Sequence, residues 1–208
     1  MLDYINKEQE VNESLLEKDL FGDLIKEIKQ SDINNIIIYA TGSSSNAAYA
    51  AHSIMQEVVG LAVYIKVPSL AMNYDLLPDE QTLCLAISQG GHSYSTIEMV
   101  KNLLSENKKV FVFTSDTKSP IAKTGAEIID LAMGIEEMPY VTLGYTVTIL
   151  VLWLFALELA ESWKKLTEKE VTTYMEEIER VIQATTNVIR KTDDWFVDKK
   201  ERFNNYKH

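Results

Sequence analysis

The chain has 208 residues, of which 46% are hydrophobic and 25% are charged, and its formal net charge is −11. This length and composition suit one folded domain with short appendages. The acidic balance argues against a nucleic acid as the main partner, because no basic block offsets repulsion by a phosphate backbone.

The first 32 residues are polar and lack the apolar core of a signal peptide. Apolar residues recur there at helical spacing, and they are Leu15, Leu16, Leu20, Leu24 and Ile28. We therefore predict one or two amphipathic helices in a separate N-terminal segment, residues 1–32.

Short apolar runs alternate with helical patterns from residue 33 to residue 165, which we predict to be one domain. The predicted strands are 36–40, 63–67, 82–88, 109–115 and 126–131, and the predicted helices between them are 46–59, a short one through 72, and 97–107. This alternation predicts an α/β fold with a doubly wound, mostly parallel sheet. Ligands of such sheets bind beyond the carboxyl ends of the strands.

The single cysteine, Cys84, lies inside the third predicted strand. We interpret it as a small buried hydrophobe rather than a nucleophile or a metal ligand, because no Cys/His cluster surrounds it. One cysteine leaves no intramolecular disulfide, which fits a cytoplasmic location.

Two long helices are predicted after the alternation stops, at 145–164 and from 168 to about 192. The first contains the longest apolar run, 147–157, which is too short to span a bilayer and is followed by Glu158 and Glu161. We therefore expect a buried core helix and no membrane partner. Thr167 is the predicted cap of the second helix.

Residues 166–208 are predicted to be a helical connector or dimerisation segment. The final part carries more aromatic surface than a free tail should have, from Trp195, Phe196, Phe203 and Tyr206. We expect this surface to pack on the domain, on a second copy or on a neighbouring domain.

Two turns rich in hydroxyls and glycine each follow a predicted strand and precede a helix. The first contains Gly42, Ser43, Ser44 and Ser45, and the second contains Ser88, Gln89, Gly90, Gly91, His92 and Ser93, with Thr96 just beyond. Backbone N–H groups and the helix dipole favour an anion at such positions, and glycine lets the backbone approach it. Serine and glycine also make ordinary turns and caps, but two such turns at one sheet edge favour a phosphate site.

The phosphate is not expected to belong to a nucleotide, because the chain has no Walker motif with its lysine and no G-x-G-x-x-G. We expect no cofactor and no metal. Gln89 could add an amide contact to a sugar oxygen.

The order and spacing of these residues resemble the SIS (sugar isomerase) domain family. The matching motifs are IYATGSS at 38–44, AISQGG at 86–91 and PYVTLGYT at 139–146, within a resemblance that runs from 36 to 159. The family includes the isomerase half of glucosamine-6-phosphate synthase and the fructosamine-6-phosphate deglycases. The resemblance implies a flavodoxin-like αβα sandwich with a five-stranded parallel sheet that binds a phosphosugar.

The resemblance also implies which residues contact the phosphate. By position these are Ser44, Ser88, Gln89 and Ser93. Gly90 stands where the family often has a further serine, and Ser93 replaces a common threonine.

Catalysis in two-domain members of the family uses a glutamate and a histidine, which are supplied largely by a second SIS domain. The equivalent glutamate position falls near Leu70 and Ala71, where the chain has no carboxylate. Asp75 is the nearest one, and we interpret it as a turn residue.

Two other residues are catalytic candidates by their position. His92 lies in the second turn, although a lone loop histidine is commonly a surface group. Glu137 precedes the long helix together with Glu136, and a solvated charge pair is the favoured interpretation of these two. For His52, in the middle of a helix, we expect a packing or surface role.

Two functions are therefore compatible with the sequence. In the first, the chain is the phosphosugar-binding half of an isomerase or deglycase acting on an (amino)sugar 6-phosphate, as a homodimer or paired with a second SIS domain. The alternative is a non-catalytic module that senses a phosphosugar. A phosphosugar-responsive transcription factor is disfavoured, because residues 1–32 are too short and acidic for a helix-turn-helix domain. The length suggests the N-terminal half of a protein with two SIS domains.

Overall fold

The computed structural model describes residues 1–138 and 140–204. Pro139 and residues 205–208 lie outside this description, and with them the predicted contribution of Tyr206. Within the described residues, five strands form one parallel sheet in the order β2-β1-β3-β4-β5. The strands are β1 (Asn35–Ala40), β2 (Ala62–Lys66), β3 (Thr82–Ile87), β4 (Val110–Thr114) and β5 (Glu127–Asp130). This is the flavodoxin-like strand order, so the predicted fold class is confirmed.

Helices cover both faces of the sheet. They are α1 (Leu2–Asn6), α2 (Glu8–Leu16), α3 (Gly22–Lys29), α4 (Gly42–Val59), α5 (Pro68–Tyr74), α6 (Tyr94–Ser105), α7 (Leu143–Ser162) and α8 (Glu168–Asn204). One face packs against α4 and α7, and the other packs against α5 and α6. A short 3-10 turn (Ile121–Lys123) precedes β5.

The strands are apolar on both faces because both faces are buried. In β1, Ile36 and Ile38 face the larger core with α4 and α7, while Ile37 and Tyr39 face the smaller core with α5. Successive strand side chains point to opposite faces of a sheet, so a doubly covered strand appears in the sequence as a continuous apolar run.

Helix α7 is the central helix of the larger core, as predicted. Its Phe155 makes edge-to-face contacts with Phe21 and Phe113, at ring-centroid distances of 5.5 and 5.9 Å. By length and composition alone α7 could cross a bilayer, with a mean hydropathy of 1.9, but 72% of its most apolar window is buried within the fold. Burial of this extent is typical of a core helix.

The N-terminal segment differs from the prediction of one or two helices, because residues 1–32 form α1, α2 and α3. They pack on the same core as α7, and Leu15 and Ile28 are buried there. A turn around Asp19 separates α2 from α3, and the Asp19 carboxylate accepts a 2.8 Å hydrogen bond from the Gly22 N–H.

Helix α8 begins as predicted and continues beyond residue 192 to Asn204. The predicted cap is confirmed: Thr167 and Glu170 form a reciprocal capping box, in which the Glu170 carboxylate accepts from the Thr167 N–H at 2.8 Å. In the final part of α8, Trp195 and Phe196 are exposed, and the rings of both contact that of Phe203.

Candidate functional site

The two hydroxyl-rich turns lie next to each other at the carboxyl edge of the sheet. Strands β1 and β3 are parallel neighbours, and their last residues, Ala40 and Ile87, are in register. The turns that follow them therefore leave the same edge side by side. Each leads directly into a helix, α4 from Gly42 and α6 from Tyr94.

The first turn is shorter than the sequence suggested. Ser43, Ser44 and Ser45 belong to the first turn of α4, because the chain turns sharply at Gly42, whose φ is +59°. The side chain of Thr41, the N-cap residue, does not bond to the helix N-terminus within the described part of the chain. The leading N–H groups of α4 therefore remain available for an anion.

The serines of α4 differ in exposure. Ser43 is exposed, whereas Ser44 and Ser45 are 9% and 7% exposed. Ser43 thus presents an accessible side chain beside the free N–H groups, whereas Ser44 and Ser45 are both buried.

The second turn is closed by hydrogen bonds around Ser88. The Ser88 N–H donates to the Phe113 carbonyl at 3.1 Å, which extends the pairing of β3 with β4. Its carbonyl accepts from the Gly91 N–H at 2.9 Å, and its Oγ accepts from the Ser93 N–H at 3.3 Å. The Ser88 hydroxyl still has its own hydrogen to donate to a ligand.

Ser93 is the N-cap residue of α6, but its hydroxyl does not cap the helix within the described residues. Instead its Oγ accepts a 2.9 Å hydrogen bond from the Thr96 hydroxyl, which leaves the Ser93 hydrogen free to donate. Thr96 itself is 0% exposed. The buried Thr96 hydroxyl is therefore placed to orient the Ser93 side chain, and a direct contact of Thr96 with a phosphate stays a prediction.

A third turn, after β4, packs against the second turn and bonds to it, and the sequence analysis gave this third turn no role at the site. The Ser115 N–H and hydroxyl both donate to the Gln89 carbonyl at 2.8 Å, and the Thr114 hydroxyl donates to it at 3.2 Å. The available signal was the hydroxyl-rich sequence TSDTKS at 114–119, which also follows a strand at this edge.

Gly91 packs directly against this third turn. A Cβ at Gly91 would lie 2.0 Å from the Ser119 Oγ, and the φ of Gly91 is +71°. The Gly91 carbonyl also accepts a 3.1 Å hydrogen bond from the Ile121 N–H. Glycine is required here by both space and backbone conformation.

Glu136 is a structural cap and not the solvated charge that the sequence analysis favoured. It is 8% exposed, and its carboxylate accepts from the N–H and the hydroxyl of Thr142, both at 2.9 Å, and from the Gly144 N–H at 2.8 Å. These bonds satisfy the N-terminus of α7, where a negative charge is favourable.

Gln89 connects this helix start to the second turn. A Cβ at Gly144 would lie 2.8 Å from the Gln89 side chain, so the Gln89 amide lies close against the first turn of α7. The Gln89 Nε2 is 3.5 Å from the Ser115 Oγ, a long contact that leaves the amide hydrogens able to donate elsewhere.

The catalytic candidates do not form a cluster. His92 is exposed in the second turn, and Glu137 is exposed while its N–H donates to the Tyr4 hydroxyl at 3.0 Å. His52 has its Nε2 2.8 Å from the Val63 carbonyl oxygen, which confirms its packing role. Asp75 ends α5 and pairs with Lys66 at 2.6 Å, in agreement with a turn residue.

The chemistry that this edge can perform is anion binding by neutral donors. Neither turn contains a lysine or an arginine, so attraction comes from the helix N-termini, the N–H groups and the serine hydroxyls. The described residues contain no group of three or more His, Cys, Asp or Glu side chains that could hold a metal ion. Gly90, partly exposed between Gln89 and Gly91, offers a backbone approach without a hydroxyl.

Known proteins share this sequence pattern and fold. The SIS domain family pattern matches residues 29–158. The glutamine–fructose-6-phosphate aminotransferase (isomerizing) of Cyanidium caldarium is 32% identical over 182 residues, which are 83% of this chain and 29% of the relative. The chain thus spans less than a third of that relative's length.

Two solved structures show the same fold. The C-terminal domain of glucosamine-fructose-6-phosphate aminotransferase from Francisella tularensis superposes with a TM-score of 0.88 at 22% identity, covering 100% of this chain and 60% of that one. A protein from Bacteroides fragilis, described as a candidate phosphosugar isomerase involved in capsule formation, also superposes, with a TM-score of 0.65 at 18% identity, covering 83% of this chain and 93% of that one.

Proposed function

This chain belongs to the SIS domain family, and we propose that it is the phosphosugar-binding half of an isomerase or deglycase acting on an (amino)sugar 6-phosphate. One observation carries the proposal. The N-termini of α4 and α6 follow adjacent parallel strands, and neither helix is capped by its own N-cap side chain within the described residues. Two such helix starts side by side suit a dianionic phosphate. The name of the relative from Cyanidium caldarium includes the phosphosugar fructose 6-phosphate, and this supports the same class of ligand for the present chain.

The phosphate contacts are assigned from the geometry of the two turns. In the first turn we assign the N–H groups from Gly42 to Ser44, since the Ser45 N–H already donates to the Thr41 carbonyl at 3.4 Å, and the hydroxyls of Ser43 and Ser44. In the second turn we assign the hydroxyls of Ser88 and Ser93, the N–H groups of Gln89 and Gly90 and the first N–H groups of α6, with the Gln89 amide reaching toward the sugar. Each hydrogen bond to a charged group stabilises a complex by about 1.5–3 kcal/mol.

We propose that the acid–base groups of the reaction come from outside this SIS domain. Aldose–ketose isomerisation needs a base close to the carbon next to the carbonyl. The position near Leu70 has no carboxylate, and the exposed candidates His92 and Glu137 lie on separate parts of the chain. A second SIS domain or a second copy of this chain would supply the missing groups, so a homodimer or a paired domain is part of the proposal.

The remaining features of the proposal concern location and organisation. The chain is proposed to work in the cytoplasm, which its buried single cysteine and its metabolic relatives support. It is divided into an N-terminal helical segment (1–32), the phosphosugar-binding domain (33–165) and a C-terminal connector or dimerisation segment (166–208).

Calorimetric titration tests the assigned contacts. Fructose 6-phosphate and glucosamine 6-phosphate should bind, and unphosphorylated fructose should not. Ser44→Ala and Ser88→Ala should each weaken binding by about 1–3 kcal/mol, because each removes a donor to a charged group. Ser105→Ala is the matched control, since Ser105 lies at the other end of α6 and its hydroxyl donates to the Asn102 carbonyl of the same helix. Unchanged affinity in both site variants would contradict the assignment.

The alternative function is a phosphosugar sensor, and the missing carboxylate near Leu70 favours it. Isomerase and deglycase assays on the same sugar phosphates distinguish the two functions. Turnover by these 208 residues would exclude a pure sensor. Saturable binding without turnover, in a preparation whose dimeric state has been verified, would exclude a homodimeric enzyme and leave the sensor and an enzyme completed by a second SIS domain.

A further inference from the structure

The final part of α8, residues 188–204, carries an exposed apolar face. Its large apolar side chains are between 47% and 58% exposed, and they are Val188, Trp195, Phe196 and Phe203. The rings of Trp195 and Phe196 both contact that of Phe203, so the aromatic side chains form one cluster on one side of the helix. None of these residues belongs to the two turns of the candidate site. Exposed aromatic clusters of this kind mark surfaces that bind a partner.

The spacing of the apolar residues indicates that the partner is a helix. They recur every seven positions in two adjacent rows, which are Val181, Val188 and Trp195 in one and Ile182, Ile189, Phe196 and Phe203 in the other. Ile182 is 5% exposed and belongs to the core, so the second row continues a buried face of α8 onto the surface. A repeat of seven keeps apolar residues on one side of a helix that pairs along its length with another helix.

The charges of this segment suit a second copy of the same chain. Residues 188–204 carry five basic and four acidic side chains, whereas the whole chain has a net charge of −11. Two copies that meet here avoid the repulsion between their acidic surfaces. A nucleic acid or an anionic membrane surface would require an excess of basic side chains that this segment lacks.

We propose that residues 188–204 of α8 pair in antiparallel orientation with the same segment of a second copy, around a two-fold axis between Trp195 and Phe196. Trp195 then lies opposite Phe196 of the second copy, and Val188 lies opposite Phe203 of the second copy. The pairing buries the aromatic clusters of both copies against each other. It is separate from the phosphate site and does not by itself supply the missing acid–base groups.

The charged residues beside the apolar face favour the antiparallel orientation. On one flank Lys191 faces Asp198 of the second copy, and on the other flank Asp193 faces Lys200 of the second copy. The members of each pair differ in height by only about 3 Å at a rise of 1.5 Å per residue, which is within reach of a lysine. Asp198 also pairs with the adjacent Lys199 at 2.5 Å, and a carboxylate can accept from both lysines. In a parallel pair, each of these residues would face its own counterpart, and like charges would meet.

The expected strength of the pairing follows from the helix and from the exposed area. α8 is one continuous helix that is anchored in the core by Ile178 and Ile182, so little conformational entropy is lost when two copies pair. The three half-exposed aromatic rings offer roughly 300 Å² of surface per copy. This is the area of a small interface, and we expect a dissociation constant on the order of 10 μM.

Sedimentation equilibrium on the full chain tests the pairing. The unaltered chain should change from monomer to dimer across the micromolar range. Trp195→Ser/Phe196→Ser should raise the dissociation constant at least about ten-fold, because buried aromatic residues carry most of the energy of such interfaces. Val197→Ser is the matched control, since Val197 is exposed on the opposite side of the same helix, and the dissociation constant should stay within about two-fold. Circular dichroism verifies that both variants are folded.

Disulfide formation tests the orientation. Thr192 and Lys199 of the second copy lie at the same height in the antiparallel pair. A mixture of Thr192→Cys and Lys199→Cys proteins should therefore form a mixed disulfide dimer in air, and neither protein alone should form one. Cys84 does not compete, because it is buried and burial raises the pKa of its thiol to about 12.

Three outcomes would overturn the proposal. A chain that stays monomeric up to about 100 μM would show that α8 does not pair with itself. A dimer whose dissociation constant is unchanged by Trp195→Ser/Phe196→Ser would be held by another surface, and the homodimer of the proposed function would stand without this interface. A disulfide that forms in the Thr192→Cys protein alone would show a parallel pair. None of these outcomes bears on phosphosugar binding, which calorimetry measures separately.

Discussion

The two turns of the candidate site differ in how firmly they are held. The turn after β3 is bonded to its neighbours through Ser88, Gln89 and Gly91, and the turn after β4 packs behind it. The turn after β1 has little of this support: a Cβ at Gly42 would meet nothing within 4 Å. The comparison indicates that the second turn is a rigid, preformed half of the site, whereas the first depends mainly on the start of α4 for its shape.

The largest expected effect is at Gly91. Gly91→Ala should destabilise the protein by about 3 kcal/mol, because its Cβ would overlap Ser119 and its positive φ is strained for alanine. Gly42→Ala should lower the free energy of unfolding by only about 1 kcal/mol, because φ is its single penalty. Urea unfolding of the two variants measures the difference between the turns.

A second substitution separates the two causes at Gly91. Combining Gly91→Ala with Ser119→Gly removes the severest overlap and should recover roughly half of the lost stability, since the φ strain and a 3.2 Å approach to the Thr114 Oγ1 remain. Equal destabilisation by Gly91→Ala and Gly42→Ala would contradict the inference that the second turn is held more firmly than the first.

The support of the second turn extends to the start of α7 through Gln89. Glu136→Ala should lower the free energy of unfolding by about 2 kcal/mol, because it leaves the N–H groups of Thr142 and Gly144 without their acceptor. Thermal and urea unfolding measure the loss. Glu137→Ala is the matched control, since the Glu137 side chain is exposed and a change within about 0.5 kcal/mol is expected.

Glu136→Ala should also affect the two turns differently. Hydrogen exchange should speed up at the amides of the second turn, which Gln89 links to α7, and stay unchanged at the first turn. Faster exchange at both turns, or a large effect of Glu137→Ala, would show that the support is not specific.

The smallest effect is expected at the other end of α7, far from both turns. Burial, with the nearby charges of Asp19 and Glu161, raises the pKa of Glu158 to about 7. The folded state therefore keeps the proton more tightly than the unfolded state. The stability that comes from this proton is fully present below pH 4.5 and is lost as the pH rises through 7.

Glu158→Gln tests this pH dependence. Because the side chain is partly exposed and its charge is screened by solvent, the variant should be more stable than the unaltered chain by only roughly 1 kcal/mol at about pH 8. The two should have the same stability at about pH 4.5. Melting temperatures at both pH values measure the difference, and a variant that is destabilised at the higher pH would contradict the expected sign.

The strands were predictable from the sequence, and several site contacts were not. Strand β3 was placed to within one residue because a doubly buried strand is a continuous apolar run. Ser43 to Ser45 were predicted to lie in a turn, but they begin α4. Serine is common both in turns and at helix starts, so the residue type alone does not distinguish the two. Residues 166–208 were predicted to be helical, but α8 was not predicted to continue beyond about residue 192 to Asn204, because its final part is exposed and rich in charged residues.

The missed contacts join residues that are distant along the chain. Ser119 lies 28 residues after Gly91, and Gly144 lies 55 residues after Gln89. No periodicity or local propensity predicts such pairs, because they depend on how the turns after β3 and β4 and the start of α7 meet in space. Glu136 was misjudged for a similar reason: its partners, Thr142 and Gly144, lie beyond an irregular segment.

The most direct test of the account follows the backbone amides of both turns by NMR during a titration with glucosamine 6-phosphate. We expect the amides of Ser43, Ser44 and Ser93 to Ser95 to shift together, with one saturating dependence on ligand concentration, while glucosamine without phosphate leaves them unchanged. Shifts confined to one turn, or shifts that cluster elsewhere on the molecule, would contradict the claim that the two turns hold one phosphate between them.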